Sequence, residues 1–373
     1  MLFYTINNLL ILLWAAIFCF HKPSKKKNLI FVVITFAQLI IISIFRHKIG
    51  YDYVMYANGY YFMYADGFQT LSYKDWEIGF VFLTKLLGAI FPNYIFYMGF
   101  FSVITLIPAA IFIYKNSEMP WVSTILYVNT FLFFMTMNFI RQCVALSLVM
   151  LAWHFMKRNK FIPFIIIILI ASLFHQTVLI MIPLYFIVKM KVGLKELIAY
   201  GYLLLWFYIS STGFINMLTT FFHEEYSGSV FITEGLSLVY AILPSVITVI
   251  AFLLVKASSI NLTKENKYLI NFALITALLS ITSLRHSILE RLSYYSLIFM
   301  ILLVPIIYKS VRQNGFTLNI TESKCIAVTT EKQKKIVSAL ILTGILALSY
   351  FNFYYGLSEN AHGVMPYNTW LPI

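Results

Sequence analysis

The stretch FIPFIIIILIASLFHQTVLIMIPLYFIVKM, residues 161–190, decides how the chain is to be read. As one helix its 30 residues would run about 45 Å, half as long again as the roughly 30 Å hydrocarbon core of a bilayer. Both flanks are basic, Lys157 to Lys160 before it and Lys189 to Lys195 after it. Basic loops are retained in the cytoplasm, so a single crossing cannot satisfy both flanks. A hairpin of two short helices can, with its turn near Ser172 to Thr177. That turn holds His175 at or just below the outer face.

The rest of the chain follows the same grammar. Of 373 residues, 61% are hydrophobic and 11% charged, against roughly 25% charged in a soluble domain, which excludes a water-soluble enzyme. Disorder and a disulfide scaffold are excluded by 15 glycines, 10 prolines and three scattered cysteines, Cys19, Cys143 and Cys325. The net charge of +13 comes without a separate basic domain, so it reads as positive-inside bias and not as nucleic-acid binding. The first apolar run, Leu2 to Phe20, has no basic residue before it and should stay as an anchor with its N-terminus outside.

These features predict an all-α, polytopic integral membrane protein forming a single membrane domain over 1–373. About 12 membrane helices are expected, near 2–20, 28–46, 94–114, 119–137, 140–157, 161–174, 176–188, 196–214, 236–255, 268–286, 291–308 and 336–354. Counting Glu77 to Phe91 as a crossing would move Lys157 to Lys160 outside. Trp76, Phe80, Leu83, Leu87 and Ile90 recur at helical spacing around Lys85, which suits a helix lying in the outer interface. The outer pieces are then 46–93 with that interfacial helix, 214–235, and the C-terminal tail 355–373; the longest cytoplasmic loop is 309–335.

Cation types segregate under this threading. Of 21 lysines, only Lys48, Lys74 and Lys85 fall outside, whereas four of six arginines, Arg46, Arg141, Arg285 and Arg291, lie at outer helix ends or loops. The topogenic rule accounts for the lysines and leaves the arginines without a reason. Guanidinium grips phosphate with a planar fork and stays charged in a low dielectric, so four near the outer leaflet suit a pyrophosphate. Arginine at a helix end also snorkels or pairs with an acid, as Arg291 beside Glu290 could.

All three aspartates, Asp52, Asp66 and Asp75, share the first outer loop with Glu77. Asp66 reads as an ordinary loop acid. Asp52 follows Arg46 closely, with Gly50 available to turn the chain between them. Tyr51, Tyr53 and Tyr56 fit an interfacial aromatic belt, and such rings also stack on sugars. A lone histidine among apolar residues is usually structural; at a hairpin break, where backbone groups are freed and water enters, His175 becomes a candidate general base. His154, on a plain span, reads as structural. A glycine-rich phosphate loop, a zinc-protease helix and a nucleophile elbow are absent from the sequence.

Six segments, in order, are Arg46-His-Lys-Ile-Gly-Tyr-Asp-Tyr-Val-Met-Tyr, Trp76-Glu-Ile-Gly-Phe, Ile140-Arg-Gln-Cys-Val-Ala, Phe174-His-Gln-Thr, Glu290-Arg-Leu-Ser-Tyr-Tyr and Pro366-Tyr-Asn-Thr-Trp. Together they resemble the EpsG family of Wzy-like polysaccharide polymerases over nearly the whole chain. Lys48-Ile49 departs from the family, which more often places a small or polar residue just ahead of the aspartate. The resemblance implies a glycosyltransferase of the bacterial cytoplasmic (inner) membrane with its active site facing outside or into the periplasm. Such an enzyme joins oligosaccharide repeats carried on undecaprenyl pyrophosphate into O-antigen or exopolysaccharide. It needs no cofactor, contacts membrane lipid, and commonly works with a chain-length-regulating co-polymerase. On this reading Arg46, Arg141, Arg285 and Arg291 bind pyrophosphate; His175 or Asp52 is the base; Glu77 positions the acceptor or orients an arginine; Tyr51, Tyr56 and Tyr367 contact sugar. No metal is required, a cation between Asp52 and Glu77 being the alternative. The competing functions are a polyprenyl-phosphate-sugar glycosyltransferase, a non-catalytic glycan flippase or exporter, and a sugar O-acetyltransferase.

Overall fold

The computed structural model describes residues 1–222, 234–321 and 324–370. The regular structure of the described residues is helical apart from one two-stranded hairpin. The chain divides into two compact units, Met1–Ile182 with Phe353–Ile373, and Pro183–Asn352.

Among the described residues, six helices are long and apolar enough to cross a bilayer unaided: Leu2–Phe20, Lys25–Ile44, Tyr94–Asn116, Val239–Lys256, Leu289–Asn314 and Glu331–Ser358. A seventh crossing results if Pro120–Asn129 and Leu132–Asn138, bent by 49° about Phe131, count as one span. The expected count of about twelve is therefore not confirmed. The reason is length and charge. Phe161–Ser172 and Gln176–Ile187 are apolar helices of 10 to 17 residues, short of the roughly 20 a crossing needs. Ile140–Lys157 and Lys264–Thr282 are long enough but carry charged residues at their ends. An apolar run signals burial against protein as readily as against lipid.

In the first unit the helix starts are written in the sequence. Ser24 Oγ accepts from the Lys27 amide at 3.2 Å, and Asn93 Oδ1 from the Phe96 amide at 3.1 Å, each relieving a free donor of the first turn. Polar side chains inside the apolar helices are paired with one another. Asn8 donates to Asn129 Oδ1 at 2.9 Å, Trp14 to Gln38 Oε1 at 2.9 Å, and Gln38 to Asn7 Oδ1 at 2.7 Å. Such bonds fix helix register where no water competes. Lys157 reaches Asn116 at 3.0 Å and Arg158 bonds His154 at 2.6 Å, so the C-terminal ends of Tyr94–Asn116 and Ile140–Lys157 share a lysine-rich end of the unit. Arg141 opens the second of these helices at the opposite end.

Residues 46–93 hold two helices, Tyr53–Asp66 and Ile78–Ile90. The second occupies the segment expected to lie in the interface, but its faces differ from that expectation. Phe80, Val81, Thr84, Lys85, Leu87 and Gly88 are buried and Ile90 is exposed. Lys85 is drawn inward because Asp66 pairs with it, aided by the Gly67 carbonyl at 2.6 Å. Asp66 is thus an ion-pair partner and not a free loop acid.

The tail is tied down. The Gly50 amide donates to Gly363 O, the His47 amide to Asn368 O and the Trp370 amide to Phe45 O, at 2.9, 2.9 and 3.0 Å. Gly50 sits at φ +99°, and a Cβ there would lie 2.5 Å from the Met137 carbonyl, so the turn requires glycine.

In the second unit Leu194–Phe222 runs past residue 214, where a loop was expected to begin; the rest of that loop, 223–233, lies outside the described residues. Thr263 caps Lys264–Thr282, accepting from the Asn266 amide at 3.2 Å. The stretch 309–335 is not simply a loop. Leu289–Asn314 continues into it, and strands Phe316–Thr321 and Lys324–Val328 pair antiparallel, Phe316 opposite Val328, before Glu331–Ser358 begins.

Candidate active site

Three of the expected site residues meet in the first unit. Glu77 precedes the Ile78–Ile90 helix, and its carbonyl accepts the first turn's amides, Phe80 at 3.0 Å and Val81 at 3.1 Å. Both oxygens of its side chain, 3% exposed, accept from protein donors. Oε1 accepts from His175 Nδ1 at 3.0 Å and the Gln176 amide at 3.2 Å, and Oε2 from Arg141 Nη1 at 2.6 Å. Glu77 thereby joins residues 64 and 98 positions away.

The break expected near Ser172 to Thr177 is present, and it positions the histidine. Phe161–Ser172 ends, His175 is extended at φ −162°, and a 3-10 turn, Gln176–Ile180, follows. The Leu173 carbonyl accepts from the Gly79 amide at 2.8 Å. A Cβ on Gly79 would lie 2.7 Å from that oxygen, so only glycine lets the Ile78–Ile90 helix come this close to the break. This glycine, inside the Trp-Glu-Ile-Gly-Phe segment, is a positioning residue that the sequence did not single out.

Burial pushes the Glu77 carboxyl up, but the His175 hydrogen bond and the Arg141 charge outweigh it and hold the group at about 2, below its usual 4.5. Glu77 is therefore a carboxylate at neutral pH and can only accept. His175 Nδ1 therefore donates in their shared bond, and Nε2 is the ring nitrogen turned away from Glu77.

Arg141 Nη1 also donates to the Asp75 carbonyl at 3.3 Å, and its guanidinium stands 5.5 Å from the Trp76 ring centroid. Its Nε is buried without a partner, while the side chain as a whole is 16% exposed. The site thus combines an oriented imidazole with a partly open guanidinium. The Asp75 carbonyl and the Gln176 amide were not anticipated, since backbone groups leave no mark in a sequence.

The other expected residues lie elsewhere. Asp52, partly buried, precedes Tyr53–Asp66 and its amide donates to Asn138 Oδ1 at 3.0 Å. Arg46 is 1% exposed, and its Nη1 is taken up by the Ser43 carbonyl and by Ser43 Oγ and Ser102 Oγ at 2.9 and 3.2 Å. Its side chain presents almost no surface to a ligand in this arrangement. Arg285 and Arg291 belong to the second unit; Arg285 donates to the Tyr208 and Ile209 carbonyls at 2.7 and 2.9 Å. Arg46 and Arg141 share no partner, so the expected four-arginine cluster is not formed by the pair in the first unit.

The tyrosines divide. Tyr56 is buried with its ring between Trp76 and Phe80, centroids 5.3 and 5.8 Å away, which leaves no face for a sugar. Its hydroxyl instead accepts from the Arg141 amide at 3.4 Å. Tyr367 stacks on Phe3 at 3.9 Å and donates to the Ile42 carbonyl at 3.0 Å, so one of its faces is covered. Tyr51 is 66% exposed and ties to the tail through the Asn360 carbonyl at 2.9 Å.

The helices and this centre define a multi-pass membrane protein with a carboxylate, an imidazole and a guanidinium joined in its first unit. The chain belongs to the EpsG family, a Wzy-like polymerase family associated with polysaccharide polymerisation, whose model matches residues 29–320. No curated protein and no solved structure matches it.

Proposed function

We propose that this protein joins oligosaccharide repeat units carried on undecaprenyl pyrophosphate into a surface polysaccharide, by glycosyl transfer at the outer leaflet. The observation that carries the reading is the convergence of His175, Glu77 and Arg141 through two direct bonds to one carboxylate. His175 Nε2 takes the proton from a sugar hydroxyl of the incoming unit. The hydroxyl oxygen bonds to the anomeric carbon of the growing chain as the bond from that carbon to the pyrophosphate oxygen breaks. Negative charge grows on the leaving pyrophosphate, where Arg141 offsets it. Glu77 holds the imidazole in the reactive tautomer, a role that replaces acceptor positioning.

Tyr51, as an exposed ring, is the sugar contact of the proposal. Arg285 and Arg291 enter it as separate phosphate contacts of the second unit. A length-regulating co-polymerase and a bacterial inner-membrane location with an outward-facing site belong to the same reading.

The test is donor selection by purified protein in liposomes. A lipid-pyrophosphate-linked repeat unit should give a ladder of products, and a polyprenyl-phosphate monosaccharide should not. The reverse outcome makes the protein a monosaccharide transferase, and no ladder with either donor removes the glycosyltransferase reading.

A further inference from the structure

We infer that the isoprenoid chain of the lipid-linked donor lies along the outward face of Phe161–Ser172, from the break at His175 toward the lysine-rich end of the first unit. The inference rests on the proposed glycosyl transfer, in which Arg141 meets the donor's pyrophosphate. A chain joined to that pyrophosphate must leave the centre over some surface, and this helix starts one there. Phe161–Ser172 follows Ile140–Lys157 after three residues and packs back along it. Arg141 opens the first of these helices and His175 comes after the second. The turn-back therefore brings both to Glu77, while Arg158 and Lys160 stay at the far end.

Ile162, Ile166, Ile170 and Leu173 recur at helical spacing and are 71, 50, 46 and 45% exposed; Phe164, Ile168 and Ala171, on the opposite side, are buried. From Phe161 to Ser172 no residue is charged. The stripe ends at Leu173, two residues before His175, and the Leu173 carbonyl accepts from the amide of Gly79, two residues after Glu77. Leu173 thus ties the apolar stripe to the polar centre. From there the stripe runs about 16 Å to Ile162.

Covering this face inside a bilayer expels no water, so the gain is one of packing and is small for an untethered chain. The donor's chain is tethered. Its pyrophosphate at Arg141 fixes one end at the head of the stripe, which makes the contact intramolecular. Isoleucine, branched at Cβ, also has little side-chain freedom to lose when it is covered. Phospholipid chains meet the same face without that anchor.

The experiment uses the full chain in phospholipid vesicles, with a photoactivatable benzophenone side chain in place of Ile166 or, as the control, of the exposed Leu9 on Leu2–Ala15. Undecaprenyl pyrophosphate should cross-link at the first position and not at the second, where phospholipid should be captured. In parallel, protein carrying both Ile162→Ala and Ile166→Ala should show KM raised about five-fold for an undecaprenyl-linked repeat unit with kcat kept. A geranyl-linked unit, whose chain is too short to reach Ile166, should show no change. Both substitutions fall on an exposed helix face and introduce a strong helix former, so the fold is kept. Capture of phospholipid alone at the Ile166 position, meaning plain bilayer contact, would overturn the inference, as would an unchanged KM for the long-chain donor. If no donor is turned over, the glycosyl transfer itself fails, and the two cross-linking positions still decide this surface.

Discussion

Replacing Glu77 by Gln keeps the shape of the side chain and removes its charge, so it isolates what the carboxylate does. In the native site both oxygens accept, from His175 Nδ1 and the Gln176 amide on one side and from Arg141 Nη1 on the other. An amide has one accepting end. If its oxygen serves Arg141, its NH2 faces His175, and the imidazole proton must move to Nε2, which takes the basic nitrogen away from the substrate. The expected loss is on the order of 10³ to 10⁴ in rate.

The stability change follows from the carboxyl group's position at about 2 against its usual 4.5. At 1.36 kcal/mol per pH unit of displacement this is about 3 kcal/mol in favour of the ionised form. A carboxyl held low in the folded state contributes stability that is full above about pH 4.5 and is lost as pH falls through about 2. Denaturant titrations in detergent should show the variant less stable by about 3 kcal/mol at pH 7, with the gap closing as the pH is lowered. Product ladders on a gel report the rate. A Glu77→Gln protein that polymerises at the wild-type rate and matches wild-type stability at pH 7 would refute the assignment.

Other consequences can be checked with single substitutions. Arg141→Lys keeps a charge but loses the planar fork, and should reduce polymerisation on the order of 10² to 10³ in single-turnover assays. Gly79→Ala places a methyl 2.7 Å from the Leu173 carbonyl; it should cost about 1–3 kcal/mol in unfolding measurements and lower the rate by separating Glu77 from His175. Lys85→Met leaves Asp66 without its partner and should lower stability, while the double change with Asp66→Leu should recover most of the loss in the same titration.

Hydrophobic runs disclosed the helices, and polar residues stranded in them disclosed much of the centre. His175 was legible because a 30-residue apolar run with two basic flanks demands a break, and the break falls at residues 173–175. Glu77 and Arg141 stood out as charges beside apolar helices. Their mutual bond was not legible, because nothing local records a contact between positions 64 apart. Crossing number was not legible, since periodicity does not tell a helix packed on protein from one facing lipid. The same blindness to burial placed Arg46 and Tyr56 among ligand-facing residues, whereas both are enclosed. Lys85 read as an interfacial charge because Asp66, its partner, lies 19 residues earlier on another helix. The pairing of the C-terminal segment with residues 45–50 uses backbone groups, which every residue has.

The most direct measurement counts undecaprenyl pyrophosphate released per glycosidic bond formed by purified protein supplied with lipid-linked repeat units, wild type beside His175→Gln. One lipid pyrophosphate per bond is expected from the wild type, with turnover in the variant lower on the order of 10² or more. Equal turnover by His175→Gln, or bond formation without pyrophosphate release, would contradict an enzyme built on the Glu77, His175 and Arg141 centre.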